Sequence, residues 1–504
     1  MRKSTVAMIA FLLVAVTASS QQTDFRKDKH RPQFHFSPKK FWMNDPNGMV
    51  YYNGTYHLFF QHYPEKTVWG PMHWGHATSK DMILWVEQPI ALYPDSLGWI
   101  FSGSAVIDFN NTSGFGKNGK PPMVAIFTHH NDPLEKLKQN NHQYQSIAYS
   151  LDEGKTWTKY AGNPVLKSPG IPDFRDPKVM WYEESKNWIM TLAVKDRIQF
   201  YSSPDLKKWT MLSEFGEKFG AHGGVWECPD LFQLSYENGK KWVLLVSINP
   251  GGPNSGSVTQ YFTGEFDGRV FNPTDTLTRW MDVGPDNYAG VTFSNTGNRR
   301  ILMGWMSNWD YANEVPTREW RSAMTIPREL GLTNISGKPI LTSKPVDETK
   351  VLLGKQFKAP SIKINGTYDL GSKAGSNLKG LYQLYFEADA DSDVRVKLSN
   401  NVNQYVTIGY DHGKNEFYID RTNSGQQIFN KNFFKRSVAT RNSKAQKIKM
   451  NLFVDHASAE LFADDGTTVM TAIFFPDEIF KKLVVESKGE IENVIISELK
   501  TLQE

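Results

Sequence analysis

The sequence predicts an all-β protein in which an N-terminal β-propeller is followed by a C-terminal β-sandwich. Three observations support this prediction: short apolar runs separated by Gly, Asn, Asp and Pro, a recurring Ser-x-Asp motif followed by Trp, and a change of composition after about residue 350. Long amphipathic helical patterns are absent from the sequence, and the aromatic content of 13% favours strands. A chain of 504 residues is too long for one small core, so two domains are expected.

Residues 1–20 have the features of a secretory signal peptide. A basic pair precedes an apolar run at residues 6–16, which is too short to cross a bilayer. The small residues Ala18 and Ser20 then suit cleavage before Gln21. No other stretch of the sequence is long and apolar enough to predict a membrane span.

The chain contains a single cysteine, Cys228, which excludes an internal disulfide. No cysteine lies near the cleavage site, so a lipid anchor is not expected there. These features predict an exported protein, periplasmic or secreted, that is stabilised by core burial alone. The net charge of +4 has no concentrated run of one sign, so no nucleic-acid partner is expected. The oligomeric state stays open.

Five apolar runs in the N-terminal part are typical of strands, because turn residues bound each of them. They are residues 48–61, 122–128, 187–194, 241–248 and 299–306. Within the first run, "YYNGTY" predicts a hairpin with Asn-Gly in a primed turn.

A loose repeat lies between these runs. It comprises "SKDMILW" (79–85), "SLDEGKTW" (150–157) and "SPDLKKW" (203–209). Each copy places Ser, then Asp two residues later, then Trp four or five residues further on. A recurrence of about fifty to seventy residues predicts one hairpin per blade of a β-propeller. Ser-x-Asp turns also occur in other β proteins, an alternative that the repeat by itself does not exclude.

The C-terminal part differs in composition, since it contains no Trp and more Lys, Asn and Ser. Alternating patterns such as residues 380–388 and 451–463 are typical of antiparallel strands with one buried face. We therefore predict a propeller domain over residues 28–340 and a β-sandwich domain over residues 350–504.

Three acidic residues have neighbours that are unusual for turns. They are Asp45 in "WMNDPNG", Asp176 in "FRDPKV" and Glu227 in "VWECPDLF". The inner ends of propeller blades converge, so residues far apart in sequence can share one site. Asp45 and Asp176 precede Pro, which predicts extended backbone at both positions.

Glu227 lies between Trp226 and Cys228, a sparsely polar setting that predicts a raised pKa and a protonated carboxyl. An ionised and a protonated carboxyl together are what a glycosidase requires. Taken singly, each carboxyl also has an ordinary explanation. Asp-Pro is usually a turn or a helix cap, and a Glu beside Trp is usually exposed or paired.

Other kinds of site are less well supported. His73 with His76, and His129 with His130, have no third ligand or acidic group at metal-site spacing, so neither a metal nor a cofactor is expected. Cys228 has no accompanying His–Asn arrangement, so a buried free thiol that supports the acid/base is expected rather than a nucleophile. The Gly-rich residues 249–256 precede no helix that could bind phosphate.

Taken together, the motifs resemble glycoside hydrolase family 32, the invertases, inulinases and levanases that cut β-fructofuranosides. The resemblance extends over nearly the whole mature chain, in family order. It rests on "WMNDPNG" (42–48), "HWGHA" (73–77), "FSGSAV" (101–106), "FRDPKV" (174–179), "WECPDLF" (226–232), "MGWMSNWDYANEVPTREWRSAMTIPREL" (303–330) and, in the C-terminal domain, "VDHASAELFADDG" (454–466).

The resemblance implies a five-bladed propeller and a retaining double displacement. By this resemblance Asp45 is the nucleophile and Glu227 the general acid/base. Asp176, with Arg175, stabilises the transition state by holding the fructose hydroxyls. Retention implies that the carboxyls of Asp45 and Glu227 lie roughly 5–5.5 Å apart.

The same resemblance implies a set of substrate-binding residues around the fructosyl ring. Besides Arg175 they are Asn44, Gln61, Trp69, Phe101, Ser102 and Trp309. The residues alone leave other roles open, because aromatic side chains near loops are often core packing. Gln61, at the end of a strand-like run, also fits a hairpin cap.

The resulting hypothesis is an exported hydrolase that releases terminal fructose from sucrose, inulin or levan without a cofactor. An endo-acting levanase or inulinase, or a fructosyltransferase, would use the same three carboxylates. A non-catalytic fructan-binding protein on the same fold is a further alternative, although it would not need all three carboxylates. The sequence ranks neither the substrates nor exo against endo action.

Overall fold

The computed structural model describes residues 28–375, 378–425 and 429–502. The predicted signal peptide, residues 1–20, lies outside these ranges. Within them, no helix has the length and apolar character needed to cross a membrane.

The N-terminal part is built from five antiparallel sheets in which each strand pairs with the next one along the chain. The first blade contains β1 (Phe41–Tyr52), β2 (Thr55–Tyr63), β3 (His73–Ser79) and β4 (Trp85–Leu92). The second contains β5 (Trp99–Ile107), β6 (Met123–His130), β7 (Gln143–Ser150) and β8 (Thr158–Lys159), with the short helix α1 (Asp132–Lys136) between β6 and β7.

The remaining three blades repeat this plan. The third contains β9 (Phe174–Tyr182), β10 (Asn187–Val194), β11 (Arg197–Ser203) and β12 (Thr210–Phe215). The fourth contains β13 (Val225–Tyr236), β14 (Gly239–Asn249), β15 (Val258–Phe266) and β16 (Phe271–Pro273), with β17 (Arg279–Trp280) beside β15. The fifth contains β18 (Tyr288–Thr292), β19 (Ile301–Trp305), β21 (Arg328–Ile335) and β22 (Lys338–Pro345), while β20 (Trp320–Arg321) joins the first blade.

The first strands of the blades form the inner ring of the propeller. β1 contacts β5, β5 contacts β9, β9 contacts β13, β13 contacts β18, and β18 contacts β1 again. Closure is strengthened by β20, which pairs in parallel with the start of β1. The prediction of an all-β fold with a five-bladed propeller is therefore confirmed.

The Ser-x-Asp repeat marks one defined turn in each of the first three blades. In all three copies the Ser hydroxyl donates to the Asp carboxylate, over 2.8–3.2 Å, in the turn between the third and fourth strands. The same carboxylate accepts backbone N–H groups two to four residues further on. In the fourth blade Asp267 caps the equivalent turn without the Ser and Trp, and in the fifth blade Asn334 does so.

The second strands explain the apolar runs seen in the sequence. All eight residues of β6 are buried, as are seven of the eight in β10. Strands covered on both faces lose the usual alternation and become continuous apolar runs. The predicted hairpin is also present, because Asn53 and Gly54 link β1 to β2 with φ of 46° and 74°, as a type I′ turn requires.

The C-terminal part is a ten-stranded antiparallel sheet system folded over one core. After a 3₁₀ helix (Asp347–Leu352), the chain forms β23 (Leu353–Asp369), α2 (Leu370–Lys373), β24 (Tyr382–Asp389), β25 (Val394–Ser399), β26 (Tyr405–Asp411), β27 (Glu416–Asp420) and β28 (Arg436–Thr440). Then follow β29 (Lys447–Asp455), β30 (Ser458–Ala463), a 3₁₀ turn (Asp464–Gly466), β31 (Thr468–Ile473) and β32 (Lys482–Leu499).

The long strand β32 joins the two halves of this sandwich. Its first half pairs with β25 and its second half with β24, while β23 pairs along its other edge. Side chains from both halves, such as Leu384 and Val396, contribute to one buried core. The predicted β-sandwich is confirmed, although residues 451–463 form a hairpin of β29 and β30 rather than one strand.

The two parts of the chain meet across β30 and β31, whose residues are all buried. One face of these strands packs in the sandwich core through Leu461 and Met470. The other face packs through Phe462 and Val469 in a cluster with propeller residues, Trp305 among them. The predicted limits of the two domains stay a prediction.

Buried ion pairs cross this junction. Arg328 of β21 is fully buried and binds Asp282 at 2.8 Å and the carboxylate of Glu460. His35 lies between Asp455 and Glu460, 2.8 Å from each. Burial lowers the pKa of His35, but hydrogen bonds and charges from the two carboxylates outweigh it and raise the pKa to about 9. His35 is therefore a cation that links the segment before β1 to the sandwich.

We predict that His35→Asn destabilises the protein most at low pH. A histidine whose pKa rises from 6.5 to about 9 on folding contributes on the order of 3 kcal/mol below the unfolded value. This contribution disappears as the pH rises through the folded value. The difference in unfolding free energy between wild type and variant, from urea titrations, should shrink by that amount between about pH 6 and about pH 10.

The matched control is His456→Asn, a neighbouring partly exposed histidine that contacts the carbonyl of Lys379. His456 makes neither of the hydrogen bonds that hold His35, so this variant leaves the buried ion pairs of His35 in place. A pH-independent difference for His35→Asn would contradict a charged His35.

Candidate active site

A pocket opens where the first strands of the blades converge, and all ten residues predicted for the site line it. They are Asn44, Asp45, Gln61, Trp69, Phe101, Ser102, Arg175, Asp176, Glu227 and Trp309. Residues that are far apart in sequence are therefore brought together, as convergence of the blades predicts.

Each inner strand carries a β-bulge near its start, where two residues oppose one residue of the second strand. The bulged pairs are Asn44-Asp45, Phe101-Ser102, Asp176-Pro177, Cys228-Pro229 and Ala289-Gly290. A bulge bends the strand and re-aims the side chains beside it. The bulges lie near the starts of the inner strands, and in the first four blades residues at or beside them line the pocket.

Asp45 is held by three side-chain donors. Ser102 Oγ donates to Oδ2 at 2.7 Å, and Asn44 Nδ2 donates to Oδ1 at 2.9 Å. The thiol of Cys228 lies 3.6 Å from Oδ2. Burial, followed by the charge of Glu227, raises the pKa of the Asp45 carboxyl above its usual value, and the three donors oppose this shift.

Asp176 is buried at the first position of its bulge, with φ of 65°. The expectation of extended backbone before Pro is wrong here, because Asp176 has left-handed backbone at this bulge, a conformation that Asp tolerates better than most residues. The N–H of Cys228 donates to Asp176 Oδ2 at 3.0 Å. Burial raises the pKa of Asp176 to about 7; Arg175 opposes the shift, and the charges of Glu227 and Asp45 add to it.

Glu227 lies in a strongly polar setting, so the expectation of a sparsely polar one is wrong. Arg175 donates two hydrogen bonds to its Oε1, from Nε at 3.1 Å and Nη2 at 2.9 Å, and the hydroxyl of Tyr288 donates to Oε2. Successive side chains of a strand point to opposite faces. Trp226 accordingly packs in a core cluster between blades, away from the carboxyl.

Arg175 is the cation at the centre of this group. Besides Glu227 it binds Asp173 at 2.6 Å, and its Nη1 lies 3.4 Å from Gln143 Oε1. Burial lowers the pKa of Arg175, but the charges of Glu227 and Asp173 outweigh burial and raise it, so the guanidinium stays charged. Burial first, and then the charge of Glu227, raise the pKa of Asp45 and Asp176, and at Asp176 the guanidinium of Arg175 opposes this shift.

Two stacked tryptophans, Trp42 and Trp309, support Asn44, the neighbour of Asp45. Trp42 Nε1 donates to Asn44 Oδ1 at 2.7 Å, which leaves the amide NH₂ of Asn44 to donate to Asp45. Trp309 stacks on Trp42 with ring centroids 5.9 Å apart and an interplanar angle of 25°. Trp309 therefore both lines the pocket and supports the residue pair below it.

Gln61 is the single residue opposite the Asn44-Asp45 bulge. It lies within β2 rather than at a hairpin, so the alternative role as a cap does not apply. The side chain is buried, and its Nε2 has no hydrogen-bond partner among the described residues. An unpartnered buried donor that lines a pocket is available to a bound ligand.

The aromatic residues form one wall of the pocket. Trp69 is 37% exposed, and its ring contacts those of Phe101 and Trp99 edge-on. Phe101 stacks in parallel on His130, with centroids 4.2 Å apart. This wall offers apolar faces on which sugar rings can pack.

Several lining residues were not predicted from the sequence. They are His130, Glu135, Gln143, Asp173 and Asn249. Tyr288, which reaches Glu227 from the fifth blade, was not predicted either. Tyr288 occupies the first position of β18, next to the bulge. That position matches the place of Glu227 in β13, but without the bulge register a tyrosine in "NYAG" gives no signal of chemistry.

The expectation that His130 has no further metal-ligand type nearby is wrong, because ligand atoms of His130, Glu135 and His142 lie within 4.8 Å of one another. However, Gln143 Oε1 accepts from the N–H of Phe174, so its amide NH₂ faces His130 Nδ1 at 3.3 Å. His130 Nδ1 is then an acceptor, and the proton lies on Nε2, toward Glu135. A protonated Nε2 has no lone pair for a metal, so this arrangement does not suit one.

Cys228 is buried and free, and it contacts Asp45 and Asp176 rather than the proposed acid/base. Its own φ is 45°. Burial raises the pKa of the Cys228 thiol well above its ordinary value, and the charges of Asp176 and Asp45 add to this. The thiol therefore stays protonated and serves as a weak donor to both carboxylates.

We predict that Cys228 resists alkylation in the native protein. The thiolate is the reactive form, and both burial and neighbouring charge suppress it. Iodoacetamide at about pH 8 should leave the folded chain unlabelled by intact-mass spectrometry. Because the chain has one cysteine, the unfolded chain in guanidinium is the control and should take up one label. Rapid labelling of the folded chain would contradict this environment.

Comparison with known proteins gives two matching family models. The model of the glycosyl hydrolases family 32 N-terminal domain matches residues 35–345. The model of the glycosyl hydrolases family 32 C terminal matches residues 348–502.

Similar proteins extend along most of the chain. Levanase from Bacillus subtilis is 46% identical over 491 residues, which are 94% of this chain and 71% of the levanase. Extracellular exo-inulinase from Aspergillus awamori is 40% identical over 513 residues, 93% of each chain.

Solved structures agree with these matches. The crystal structure of exo-inulinase from Aspergillus awamori superposes with a TM-score of 0.86 at 37% identity, over 95% of this chain and 99% of that one. The β-fructofuranosidase from Schwanniomyces occidentalis complexed with fructosyl-erythritol superposes with a TM-score of 0.83 at 35% identity, over 94% and 98%. The chain therefore belongs to the glycosyl hydrolases of family 32.

Proposed function

We propose that this glycoside hydrolase releases terminal fructose from fructans and sucrose with retention of configuration. The observation that carries the proposal is the meeting of Asp45 and Glu227 in one pocket, each held by its own donors. A retaining glycosidase needs two such carboxyls on either side of the scissile bond. The expected separation of roughly 5–5.5 Å between them stays a prediction.

Asp45 is the proposed nucleophile that attacks the anomeric carbon of the fructosyl unit. Its donors, Ser102 and Asn44, favour the ionised carboxylate against burial and the charge of Glu227. They also fix both carboxylate oxygens, so one can be directed at the sugar. Attack gives a covalent fructosyl-enzyme that the second step hydrolyses.

Glu227 is the proposed general acid/base. It gives a proton to the departing glycosidic oxygen and later takes one from the attacking water. Proton transfer leaves a carboxylate, which Arg175 and Tyr288 receive with three hydrogen bonds. The same donors fix the orientation of the carboxyl between the two steps.

Asp176 and Arg175 are the proposed stabilisers of the transition state. The thiol of Cys228 contacts the carboxyls of both Asp45 and Asp176, so the two carboxyls are close together. Asp176 can therefore accept hydrogen bonds from hydroxyls of the fructosyl ring that Asp45 attacks. Hydrogen bonds that strengthen as positive charge develops on the ring lower the barrier. Asn44, Gln61 and the aromatic wall with Trp69 complete the proposed binding pocket.

Fructan is the proposed main substrate because levanase and exo-inulinase are both similar over nearly the whole chain. Sucrose fits the same fructosyl pocket. Export is proposed as well, since the Aspergillus relative is extracellular and residues 1–20 have the pattern of a secretory signal. Cell fractionation distinguishes a periplasmic protein from one secreted into the medium.

The alternatives differ in testable ways. An endo-acting enzyme would release oligosaccharides, and a fructosyltransferase would pass the fructosyl unit to a second sugar. A non-catalytic binding protein would not need the separate donor sets on Asp45 and Glu227, which argue for chemistry at both.

We predict that the purified protein releases fructose as its first and sole small product from levan and from inulin. Chromatography of early samples should show no ladder of oligosaccharides. Carbon-13 NMR at early times should show β-D-fructofuranose before mutarotation, because two inversions give retention. A ladder would indicate endo action, and the α-anomer would contradict the double displacement.

The control for this experiment is Asp45→Asn, which preserves size but removes the nucleophile. Its rate should fall by at least about 10,000-fold, in line with the loss of other catalytic nucleophiles and bases. Glu184→Gln, a change at an exposed carboxyl of the third blade, should leave the rate unchanged.

We further predict that Tyr288→Phe lowers kcat by about 10- to 100-fold, the range for loss of a hydrogen bond to a charged group. The hydroxyl holds Glu227 Oε2 while Arg175 holds Oε1, so its removal frees one end of the carboxyl that must face the departing oxygen. The loss should be larger on fructosides with poor leaving groups than on activated ones, because only the former depend on protonation. An equal loss on both would mean that Tyr288 acts on packing alone, and thermal unfolding of the variant tests that directly.

A further inference from the structure

The pocket extends beyond the three carboxylates to the hairpin between β6 and β7. His130 ends β6, Glu135 lies on α1, and Gln143 begins β7. All three line the pocket, and none has a role in the chemistry proposed above. All three belong to the second blade, and the third blade contacts Gln143 through Phe174 and Arg175.

His130 has its proton position fixed by its neighbours. Gln143 Oε1 accepts from the N–H of Phe174 at 2.9 Å, so its NH₂ must face His130 Nδ1. The remaining proton of the imidazole is therefore on Nε2. The parallel stack on Phe101 holds the ring plane.

The resulting Nε2–H is a donor without a hydrogen bond. His130 is 2% exposed, and no described residue accepts from Nε2 with suitable geometry, although Glu135 Oε2 lies 3.2 Å away. A buried unpartnered donor is costly unless a ligand completes it. Its place in the pocket lining gives it access to such a ligand.

Glu135 supplies the matching acceptor. Its side chain is half exposed, and it lies between His130 and His142, with its Oε1 3.9 Å from His142 Nε2. A carboxylate beside an N–H donor is a common arrangement for a sugar hydroxyl, which donates to one and accepts from the other. Because the carboxylate is half exposed, a substrate hydroxyl can reach it.

Side-chain contacts connect the pair to Glu227. Arg175 binds Glu227 with Nε and Nη2, its Nη1 binds Asp173 and lies 3.4 Å from Gln143 Oε1, and Gln143 contacts His130. In the proposed reaction Glu227 protonates the oxygen that leads to the leaving sugar. A group beyond Glu227 toward the mouth is therefore placed to meet that sugar rather than the fructosyl unit.

We propose that His130 and Glu135 bind a hydroxyl of the sugar on the leaving side of the scissile bond. The inference rests on the proposed hydrolysis. It names the residues by which the rate of hydrolysis depends on whether the leaving group is a sugar. The Nε2–H of His130 donates to the hydroxyl oxygen, and the hydroxyl proton is donated to Glu135. The ligands of this subsite are saccharides with a free ring hydroxyl next to the linkage.

The test compares a fructoside that carries a leaving sugar with one that does not. Sucrose and a fructan trisaccharide fill the subsite, whereas methyl β-D-fructofuranoside leaves it empty. Glu135→Gln should lower kcat/KM for the two saccharides by about 10-fold or more, as expected for a hydrogen bond to a charged acceptor. The same variant should stay within about twofold of wild type on the methyl fructoside.

Glu184→Gln is the matched control, an exposed glutamate outside the pocket, and it should match wild type on every substrate. Glu135→Ala should show the same split as Glu135→Gln, and thermal unfolding should show that both variants are folded.

An equal loss on all substrates, or no loss on any, would overturn the subsite. So would a zinc-dependent rise in the melting temperature of wild type that Glu135→Gln abolishes, because it would make the group a metal site. If wild type hydrolysed none of these fructosides, the proposed function itself would fail. A wild type active on all of them, with an unaltered Glu135→Gln, would reject the subsite alone.

Discussion

The β-bulge at the start of each inner strand is the constraint on which the site depends. In a regular strand, side chains alternate between the two faces, and neighbouring residues cannot serve the same pocket. The bulge places two residues opposite one, which re-aims the strand at the ring axis. Asp45 and Asn44 therefore act together, with Gln61 as the single residue facing them. The left-handed backbone of Asp176 and Cys228 is a cost of this geometry that the surrounding ladders stabilise.

A second constraint is the concentration of negative charge in the pocket, which results from bringing the inner strands together. Asp45, Asp173, Asp176 and Glu227 line the described pocket together with Arg175, whose guanidinium binds Asp173 and Glu227. Burial and mutual repulsion raise the pKa of Asp45 and Asp176, while dedicated donors favour ionisation of Asp45. Hydrogen bonds from Ser102, Asn44 and Cys228 thus oppose the effect of burial at Asp45.

Much of the fold was predictable because it depends on local patterns. Doubly covered second strands are continuous apolar runs, and Ser-x-Asp turns satisfy their own backbone, so both leave marks in the sequence. The bulges were not predictable, since they are set by pairing between strands. The prediction of a sparsely polar setting for Glu227 was wrong because its sequence neighbours face elsewhere. Its hydrogen-bond partners, Arg175 and Tyr288, come from other blades. The grouping of His130 with Glu135 also needs the folded hairpin.

The sandwich contacts the chain that carries Tyr288 into the site. Asp282 binds Arg328 and the Thr471 hydroxyl of β31, and Asp286 accepts from the backbone N–H of Ile473 and from Arg421. Two residues later the chain enters β18 at Tyr288, whose hydroxyl meets Glu227. Buried ion pairs of this kind add little net stability over apolar packing, but they fix one arrangement where several would bury equal area. The polar junction between the two parts of the chain therefore helps to set the register of the fifth blade. The position of Tyr288, which donates to Glu227, depends on that register.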